Sequence, residues 1–273
     1  MQLNKFNLTN KNILITGAAG LLGYEHCIAL LDVGARVIMT DVDIKRLKQN
    51  KLRLLKKNKN FKIEYFKMNV CSEKSIIKVL NSIKKKFFNI DVLVNNACLN
   101  PKFSNKFEIK NTNLENFSLK LWNKELQVGL TGAFLCAKIF GNYMKKNKNG
   151  GVIINIASEY SVITPDHRIY SKKNGIKKFK PITYPVIKTG LIGLTKYLAT
   201  YWSKENIRCN AFSPGGVREN QDKHFMSKIK KLIPMGRMAK PNEYHSVLQF
   251  LCSDASTYLN GQNILMDGGR SIW

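Results

Sequence analysis

The stretch NILITGAAGLLGYEHCIALLDVG, residues 12–34, decides the fold. Its first five residues are mostly apolar and predict a buried β-strand, and the apolar segment that follows the glycines predicts a helix. Gly17, Gly20 and Gly23 between them allow a tight turn, a close approach of the backbone to a phosphate, and close packing of helix on strand. The N–H groups at the start of such a helix attract a pyrophosphate. This order of elements predicts a nucleotide-binding unit.

The same alternation of strand and helix continues along the chain. The other predicted strands are RVIMT (36–40), KIEYF (62–66), IDVLVNN (90–96), GVIINIA (151–157), IRCNAF (207–212) and NILMD (263–267). Strands that are apolar throughout are buried on both faces, as in a parallel sheet covered by helices. The chain contains no repeat and no linker-like stretch. We therefore predict one α/β domain over residues 1–273, a doubly wound, mostly parallel sheet with helices on both faces, which is a Rossmann fold.

The composition limits the classes of function. The chain has 273 residues, 44% of them hydrophobic, and no apolar stretch long enough to span a membrane, so we expect a cytoplasmic protein without a membrane partner. Six scattered cysteines without a C-x-x-C pair predict reduced thiols and no metal site. The net charge of +27 comes mostly from lysines spread over the whole length, which favours solvated faces over a nucleic-acid groove.

Asp41 indicates which nucleotide is bound. It ends the second predicted strand, 24 residues after Gly17, where a carboxylate can accept hydrogen bonds from the hydroxyls of an adenosine ribose. A carboxylate at this place repels a 2′-phosphate, and neither the glycine turn nor the position after Asp41 offers an arginine. These features favour NAD over NADP. The alternative is a glycine turn in an ordinary core unit with a solvated aspartate.

A tyrosine and a lysine lie four residues apart in TYPVIKTG, residues 183–190. Pro185 is favoured in a first helical turn, so the segment begins a helix, and Tyr184 and Lys188 lie on one face of it. A pair of this kind is also common on the surface of an amphipathic helix. The rest of the chain has to decide between the two interpretations.

Several motifs together resemble the short-chain dehydrogenase/reductase family over nearly the whole chain. They are TGAAGLLG (16–23), VNNA (94–97), VGLTGAFLCAK (128–138), NIASE (155–159), YPVIK (184–188), NAFSPGG (210–216), FLCSDAS and NGQNILMDGG. The resemblance implies a nicotinamide-dependent enzyme that interconverts a secondary alcohol and a ketone, with Ser158, Tyr184 and Lys188 as catalytic residues. Together with the glycine turn and Asp41, it gives a cofactor site of Gly17, Gly20, Leu22, Gly23, Asp41, Asn69, Val70, Asn95, Ala97, Tyr184, Lys188, Pro214, Gly215 and Val217.

The resemblance gives the tyrosine and lysine a chemical task. Hydride leaves a carbinol carbon readily only when the hydroxyl proton is removed, and a free tyrosine with a pKa near 10 is a poor base. A nearby cation favours the phenolate, so Lys188 is expected to lower the pKa of Tyr184. Ser158 is expected to hydrogen-bond the reacting oxygen.

The chain departs from the family pattern at three places. Gly129 replaces an asparagine that helps to hold a water for proton relay, so that role is filled by water or another polar residue, or proton exchange is slowed. Cys98 replaces the glycine usual after N-N-A. The glycine spacing G-x-x-G-x-x-G is closer to a longer branch of the family.

The segment between the catalytic serine and tyrosine is longer than usual in the family. Ser158 and Tyr184 are 26 positions apart, which predicts an enlarged active-site loop at about 159–183. Its lysines are expected to raise the local concentration of an anionic or heavily hydroxylated sugar, unless the loop is only a solvated excursion. These lysines are Lys172, Lys173, Lys177 and Lys178. SEYSVITPDHRIY and GQNILMDGGRSIW resemble a bacterial subgroup associated with flagellin modification and surface-polysaccharide sugars.

Two other functions stay open. Reduction of a 3-oxoacyl group on an acidic carrier protein suits a basic surface, although Asp41 disfavours the NADPH that such reductases generally use. A catalytically inactive NAD-binding interaction protein is suggested by Gly129 and the altered glycine spacing. The helices containing LTGAFLCAKIFGNYM and LIGLTKYLATYW are apolar over more than one stripe, so a homodimer or homotetramer is expected.

Overall fold

A parallel sheet forms the centre of the molecule. The computed structural model describes residues 5–86, 89–99, 113–170 and 179–273. Within these ranges the sheet has seven strands in the order β3-β2-β1-β4-β5-β6-β7, and every neighbouring pair is parallel. The strands are β1 (Asn12–Thr16), β2 (Arg36–Asp41), β3 (Lys62–Lys67), β4 (Val92–Asn95), β5 (Gly151–Ile156), β6 (Ile207–Pro214) and β7 (Asn263–Met266). The predicted doubly wound α/β fold is confirmed.

Helices connect the strands on both faces. They are α1 (Leu21–Leu31), α2 (Ile44–Lys57), α3 (Glu73–Lys86), α4 from Leu119 to Met144, α5 (Thr183–Tyr201), α6 (Lys223–Ile229) and α7 (His245–Cys252). Helix α4 contains two π-helical stretches, Gln127–Thr131 and Ala137–Gly141. Helix α5 begins where the sequence predicted, with Pro185 in its first turn.

Alternation of side chains along β1 explains why both faces are covered. All five residues of this strand are buried. Successive side chains of a strand point to opposite faces, and accordingly Ile13 and Ile15 belong to a core shared with α1, α2 and α7. Leu14 belongs to a second core shared with α3, α4 and the end of α5. A strand with a polar face could not occupy this central place.

The strand order reverses between β1 and β4. The chain moves from β1 to β2 and β3 on one side of β1, then crosses back to β4 on the other side. In open α/β sheets the carboxyl ends of the strands at such a reversal border the ligand crevice. Here Gly17 follows β1 and Ala97 follows β4, and the two meet: a Cβ added to Gly17 would lie 2.8 Å from the Ala97 Cα.

Three findings bear on the composition arguments. No helix in the described ranges is both long enough and apolar enough to cross a membrane. The same ranges contain no cluster of three or more histidine, cysteine, aspartate or glutamate side chains that could hold a metal ion. All six cysteines are unpaired thiols, four of them buried.

Candidate active site

The turn after β1 needs glycine at two positions for different reasons. Gly17 has a φ of +67°, a conformation that residues with a Cβ rarely adopt. A Cβ on Gly23 would lie 2.2 Å from the Gly17 carbonyl oxygen. Gly20 is the N-cap of α1 and has no side chain that could cap the helix. The backbone N–H groups of the first turn, including that of Leu22, are therefore left for another acceptor. This cradle fits a pyrophosphate.

Thr16 and Asn96 tie the glycine turn to the end of β4. The Thr16 hydroxyl accepts hydrogen bonds from the backbone N–H groups of Asn96 and Ala97, both at 3.0 Å. The Asn96 side-chain amide donates to the carbonyls of Thr16 at 2.9 Å and Gly17 at 3.1 Å. Asn96 is not among the residues predicted from the sequence. The signal for it was the doubled asparagine in VNNA, because neighbouring residues of a strand point to opposite faces.

Asn95 lies on the other side of β4. Its side-chain amide donates to Asn155 Oδ1 at 2.9 Å and to the Ala133 carbonyl at 3.3 Å, and it is buried. The Asn95 side chain is therefore bonded within the interior, between β5 and α4. Asn96 has the side chain that reaches the turn.

The Asp41 carboxylate is oriented by the backbone around it. Oδ2 accepts a hydrogen bond from the N–H of Ala19 in the glycine turn at 3.1 Å, and Oδ1 accepts one from the N–H of Asp43 at 3.0 Å. The side chain is partly exposed at the end of β2. The two hydrogen bonds fix the carboxylate at the end of β2, and its contact with a ribose stays a prediction.

Asn69 and Val70 follow β3 at the same edge. Asn69 is exposed, and its side chain accepts a hydrogen bond from the N–H of Cys71. Val70 is buried against Gly132 of α4, and a Cβ added to Gly132 would lie 2.7 Å from Val70 Cγ2. The segment begins next to Asp41, because the N–H of Met68 donates to the Asp41 carbonyl at 2.8 Å, and its contact with an adenine stays a prediction. At the opposite end of the crevice, β6 terminates in Pro214, and the N–H of Gly215 donates to the Met266 carbonyl at 2.9 Å. Val217 forms an isolated parallel bridge with Ala239.

Ser158, Tyr184 and Lys188 come together beyond the end of β5. Ser158 follows that strand in extended conformation and is buried, and its hydroxyl accepts a hydrogen bond from the Tyr160 N–H at 3.3 Å and lies close enough to the Tyr184 phenol to affect its pKa. Lys188, one helical turn after Tyr184, donates from Nζ to the Ile156 carbonyl at 2.7 Å. Its Nζ lies 5.5 Å from the centroid of the Tyr184 ring. The four-residue spacing therefore places the ammonium beside the phenol.

The electrostatic balance at Tyr184 differs from the expected one. Burial is the largest influence and raises the pKa of Tyr184, the charge of Cys98 raises it further, and the nearby Ser158 hydroxyl lowers it. The expectation that the pKa of Tyr184 is lowered is therefore wrong in this structure. The physical reason is the burial of the phenol, which penalises the phenolate more than its neighbours stabilise it. Tyr184 is therefore protonated at neutral pH.

Comparison with known proteins identifies the family. A family model described as enoyl-(acyl carrier protein) reductase matches residues 17–271. The chain belongs to the short-chain dehydrogenase/reductase family. It is 30% identical to an NAD-dependent glycerol dehydrogenase of Listeria innocua, over 98% of this chain and 96% of the relative. It is 31% identical to a 3-oxoacyl-(acyl-carrier-protein) reductase of Thermotoga maritima, over 97% of this chain and 99% of the relative.

A solved structure agrees with this assignment. The short-chain dehydrogenase of Leptospira borgpetersenii with bound NAD⁺ has 31% sequence identity and a TM-score of 0.81, with 97% of this chain and 94% of that chain covered. Members of the family with these names are dehydrogenases and reductases that act on CH–OH groups. The chain is therefore an oxidoreductase of this class.

A buried charge pair follows the catalytic serine. Glu159 accepts a short hydrogen bond from Arg270, and both side chains are 4% exposed. Burial raises the pKa of Glu159 to about 7, while the charge of Arg270 opposes the rise. Arg270 also donates to the Tyr160 hydroxyl at 3.3 Å, and the Tyr160 ring meets the Tyr184 ring edge-on with centroids 6.2 Å apart. Arg270 could not be predicted from the sequence, because it lies 111 positions after its partner.

The space beside Gly129 is filled by an apolar side chain. A Cβ on Gly129 would lie 2.8 Å from Ile187 Cγ2 and 3.4 Å from Cys98 Sγ. Ile187 is a buried β-branched residue that cannot turn aside. An asparagine therefore has no room here, and the family's usual relay position is closed by packing. Gly129 and Ile187 form one complementary pair.

This packing leads to the first prediction. Gly129→Asn is expected to lower the free energy of unfolding by about 1 to 3 kcal/mol, because the new side chain overpacks the core. In a double-mutant cycle with Ile187→Ala, the double variant should lose less free energy of unfolding than the sum of the two single variants, by about 1 kcal/mol. Urea unfolding measures all four proteins. If Gly129→Asn is as stable as wild type, the side chains around position 129 rearrange at little cost and the prediction of overpacking is wrong.

The enlarged loop at about 159–183 is described only in part. Residues 159–170 begin with a 3-10 turn, Glu159–Ser161, and contain a second, His167–Tyr170. Lys172, Lys173, Lys177 and Lys178, which were expected to attract an anion, lie outside the described residues. Their role stays a prediction.

Proposed function

We propose that this protein is an NAD-dependent oxidoreductase that interconverts a secondary alcohol and a ketone on a polyol or sugar-derived substrate. The observation that carries the proposal is the convergence of Ser158, Tyr184 and Lys188 beyond β5, in reach of the crevice that begins at the glycine turn. The nicotinamide cofactor supplies the hydride acceptor or donor. The chain supplies the binding groups and the proton chemistry.

The three side chains divide the proton chemistry between them. Ser158 donates a hydrogen bond to the reacting oxygen and holds it against Tyr184. In reduction, the protonated phenol donates its proton to the oxygen as negative charge develops there. In oxidation, the same oxygen atom of Tyr184 takes the carbinol proton, and the ammonium of Lys188 stabilises the phenolate that this requires.

The polarity of the site favours a hydroxylated substrate. Glu159 and Arg270 form a buried charge pair directly after Ser158, and Lys180 brings a cation to the ring of Tyr184. Such groups suit hydroxyl or acidic substituents better than an acyl chain, because buried polar groups lose free energy when they face an apolar ligand. The Listeria innocua relative is named for glycerol, a small polyol. A place in surface-glycan or flagellin-glycan synthesis stays a prediction that rests on the resemblance of the loop sequence.

A substrate panel tests the proposal. NAD reduction should be measured with glycerol, other polyols, sugar phosphates, nucleotide sugars and simple secondary alcohols. We expect turnover with a polyol or sugar and little with a simple alcohol. Turnover only of 3-oxoacyl carrier protein with NADPH would instead support the second candidate, which is motivated by the Thermotoga maritima relative.

The preference for NAD is part of the proposal and depends on Asp41. Asp41→Asn removes the charge, and with it a charged hydrogen-bond acceptor for the ribose and the repulsion of a 2′-phosphate. The KM for NAD should therefore rise. The ratio of kcat/KM with NAD to kcat/KM with NADP should fall by about tenfold or more. Asp43→Asn is the matched control. Asp43 is exposed, and its side chain caps α2 by accepting from the Arg46 N–H, a task that asparagine also performs. Equal changes in the two variants would argue against a specific contact.

We also propose a homo-oligomer. Helices α4 and α5 expose Phe134, Tyr197 and Tyr201, with 46%, 62% and 61% of their surface accessible. The Tyr197 and Tyr201 rings stack on each other at 5.7 Å on the outside of α5. Light scattering at micromolar concentration should give the mass of a dimer or tetramer, and a monomer mass would remove this part of the proposal.

A further inference from the structure

A second lysine lies closer to the catalytic tyrosine than Lys188 does. Lys180 is four residues before Tyr184, just ahead of α5, and its Nζ is 3.9 Å from the centroid of the Tyr184 ring. The corresponding distance for Lys188 is 5.5 Å. The Tyr184 ring therefore has two ammonium groups near it, one from the segment just before α5 and one from α5 itself.

The two lysines differ in their other contacts. Lys188 is deeply buried and donates to the Ile156 carbonyl at the end of β5, which fixes it as part of the sheet edge. Lys180 as a whole is partly buried, and its ammonium lies over the Tyr184 ring. A cation over the face of an aromatic ring is stabilised by the π electrons, and this holds Lys180 in position. One ammonium is thus held by a backbone carbonyl and the other by the face of the ring.

The surroundings of Lys180 are unfavourable for a lysine that only contributes stability. Burial lowers the pKa of Lys180 to about 8, and the like charge of Lys188 lowers it further. The opposing influences come from Cys98, Glu125 and Glu159. Glu125 is itself buried and accepts a short hydrogen bond from the Thr183 hydroxyl at the start of α5, so it is fixed beside this segment. Two lysines next to one phenol repel each other, and such arrangements are typical of functional sites.

Cys98 links Lys180 to the place where the family's relay position is closed. Ile187 fills the space beside Gly129, so that position offers no polar group to the site. Cys98, which lies against Gly129, is also among the groups whose charge acts on both Lys180 and Tyr184. One contiguous cluster therefore joins the altered positions Cys98 and Gly129 to the second lysine.

We infer that Lys180 is a second positioning residue for catalysis, whose ammonium acts with that of Lys188 to stabilise the phenolate form of Tyr184. The inference rests on the alcohol and ketone chemistry of the family and not on the identity of the sugar. Tyr160 and Glu159 also face the phenol, and both disfavour the phenolate. Each cation beside the ring opposes the burial and the negative charges that raise the pKa of Tyr184, so the loss of one of them raises that pKa further.

The pH profile of alcohol oxidation tests the inference. The substrate is glycerol first and then the most active alcohol of the panel. The proteins compared are wild type, Lys180→Gln and Lys180→Arg. Near pH 7 the Lys180→Gln variant should have kcat lower by about tenfold or more, since an opposite charge at this range moves a pKa by about one to three units. The deficit should shrink above pH 9, because Lys180 has lost its proton there in the wild type. Lys180→Arg should retain most of the rate near pH 7.

A matched control and a second measurement separate this inference from the proposed function. Lys196→Gln changes the same charge on the exposed side of α5 and should leave the profile unchanged. The second measurement is an ultraviolet titration of the Tyr184 phenolate in the NAD complexes, which needs no substrate. Each protein is compared with the same protein carrying Tyr184→Phe. Tyr184 should ionise at a higher pH in Lys180→Gln than in wild type. A deficit that is equal at every pH, or identical titrations in wild type and Lys180→Gln, would overturn the inference. A panel without any turnover would count only against the proposed function.

Discussion

Tyr184→Phe should lower kcat by about a thousandfold while leaving the affinity for NAD nearly unchanged, since proton transfer by a positioned side chain typically contributes a factor of 10² to 10⁴. The ring of phenylalanine keeps the contacts with Lys180, Lys188 and Tyr160, and only the hydroxyl is lost. The interaction with the Ser158 hydroxyl disappears with it. Chemistry is therefore removed with little change of packing.

The measurement is steady-state kinetics at saturating NAD with the best substrate of the panel, together with NAD binding by calorimetry. A matched control is Tyr197→Phe, which removes a hydroxyl from an exposed residue of the same helix and should have no effect on kcat. Retention of most of the wild-type turnover by Tyr184→Phe would refute the catalytic role. That outcome would favour the alternative of an NAD-binding interaction protein.

Gly23→Ala should abolish nucleotide binding and lower the free energy of unfolding by about 3 kcal/mol, the upper range for overpacking, because the new methyl group meets backbone atoms that cannot rotate away. The methyl carbon would lie 2.2 Å from the Gly17 carbonyl oxygen and 2.8 Å from the Ala18 Cα. The glycine turn would have to open, and the amides at the start of α1 would move with it.

Gly193→Ala is the matched control for this change. Gly193 is an exposed residue of α5, and a Cβ there meets nothing within 4 Å. Alanine in a helix interior is more stable than glycine by about 0.5 to 1 kcal/mol, so this variant should be more stable than wild type and bind NAD normally. Urea unfolding and calorimetry measure both variants. Normal NAD affinity in Gly23→Ala would contradict the assignment of the turn as the pyrophosphate site.

The fold could be predicted because its signals are local. Five consecutive buried residues in β1 and the glycines after it specify a strand, a turn and a helix within one short stretch, and β4 and β5 have the same apolar character. The four-residue spacing of Tyr184 and Lys188 is likewise a property of one helix. Local geometry of this kind does not depend on where distant segments pack.

The parts that were missed depend on contacts between distant segments. Arg270 reaches Glu159 from the C-terminal end of the chain, and Ile187 closes the space of Gly129 from another helix. The raised pKa of Tyr184 results from burial by many residues, which no spacing rule reveals. Lys180 was visible only as one basic residue of a lysine-rich loop until its ammonium was found over the tyrosine ring.

The most direct test of the central claim is a crystal structure of the protein with NAD and a ketone product or a ketone-like inhibitor. The account predicts that the carbonyl oxygen of the ligand lies within hydrogen-bonding distance of both Tyr184 Oη and Ser158 Oγ, with the nicotinamide ring next to the carbonyl carbon. A complex in which the Tyr184 phenol points away from the nicotinamide and contacts no ligand atom would contradict it.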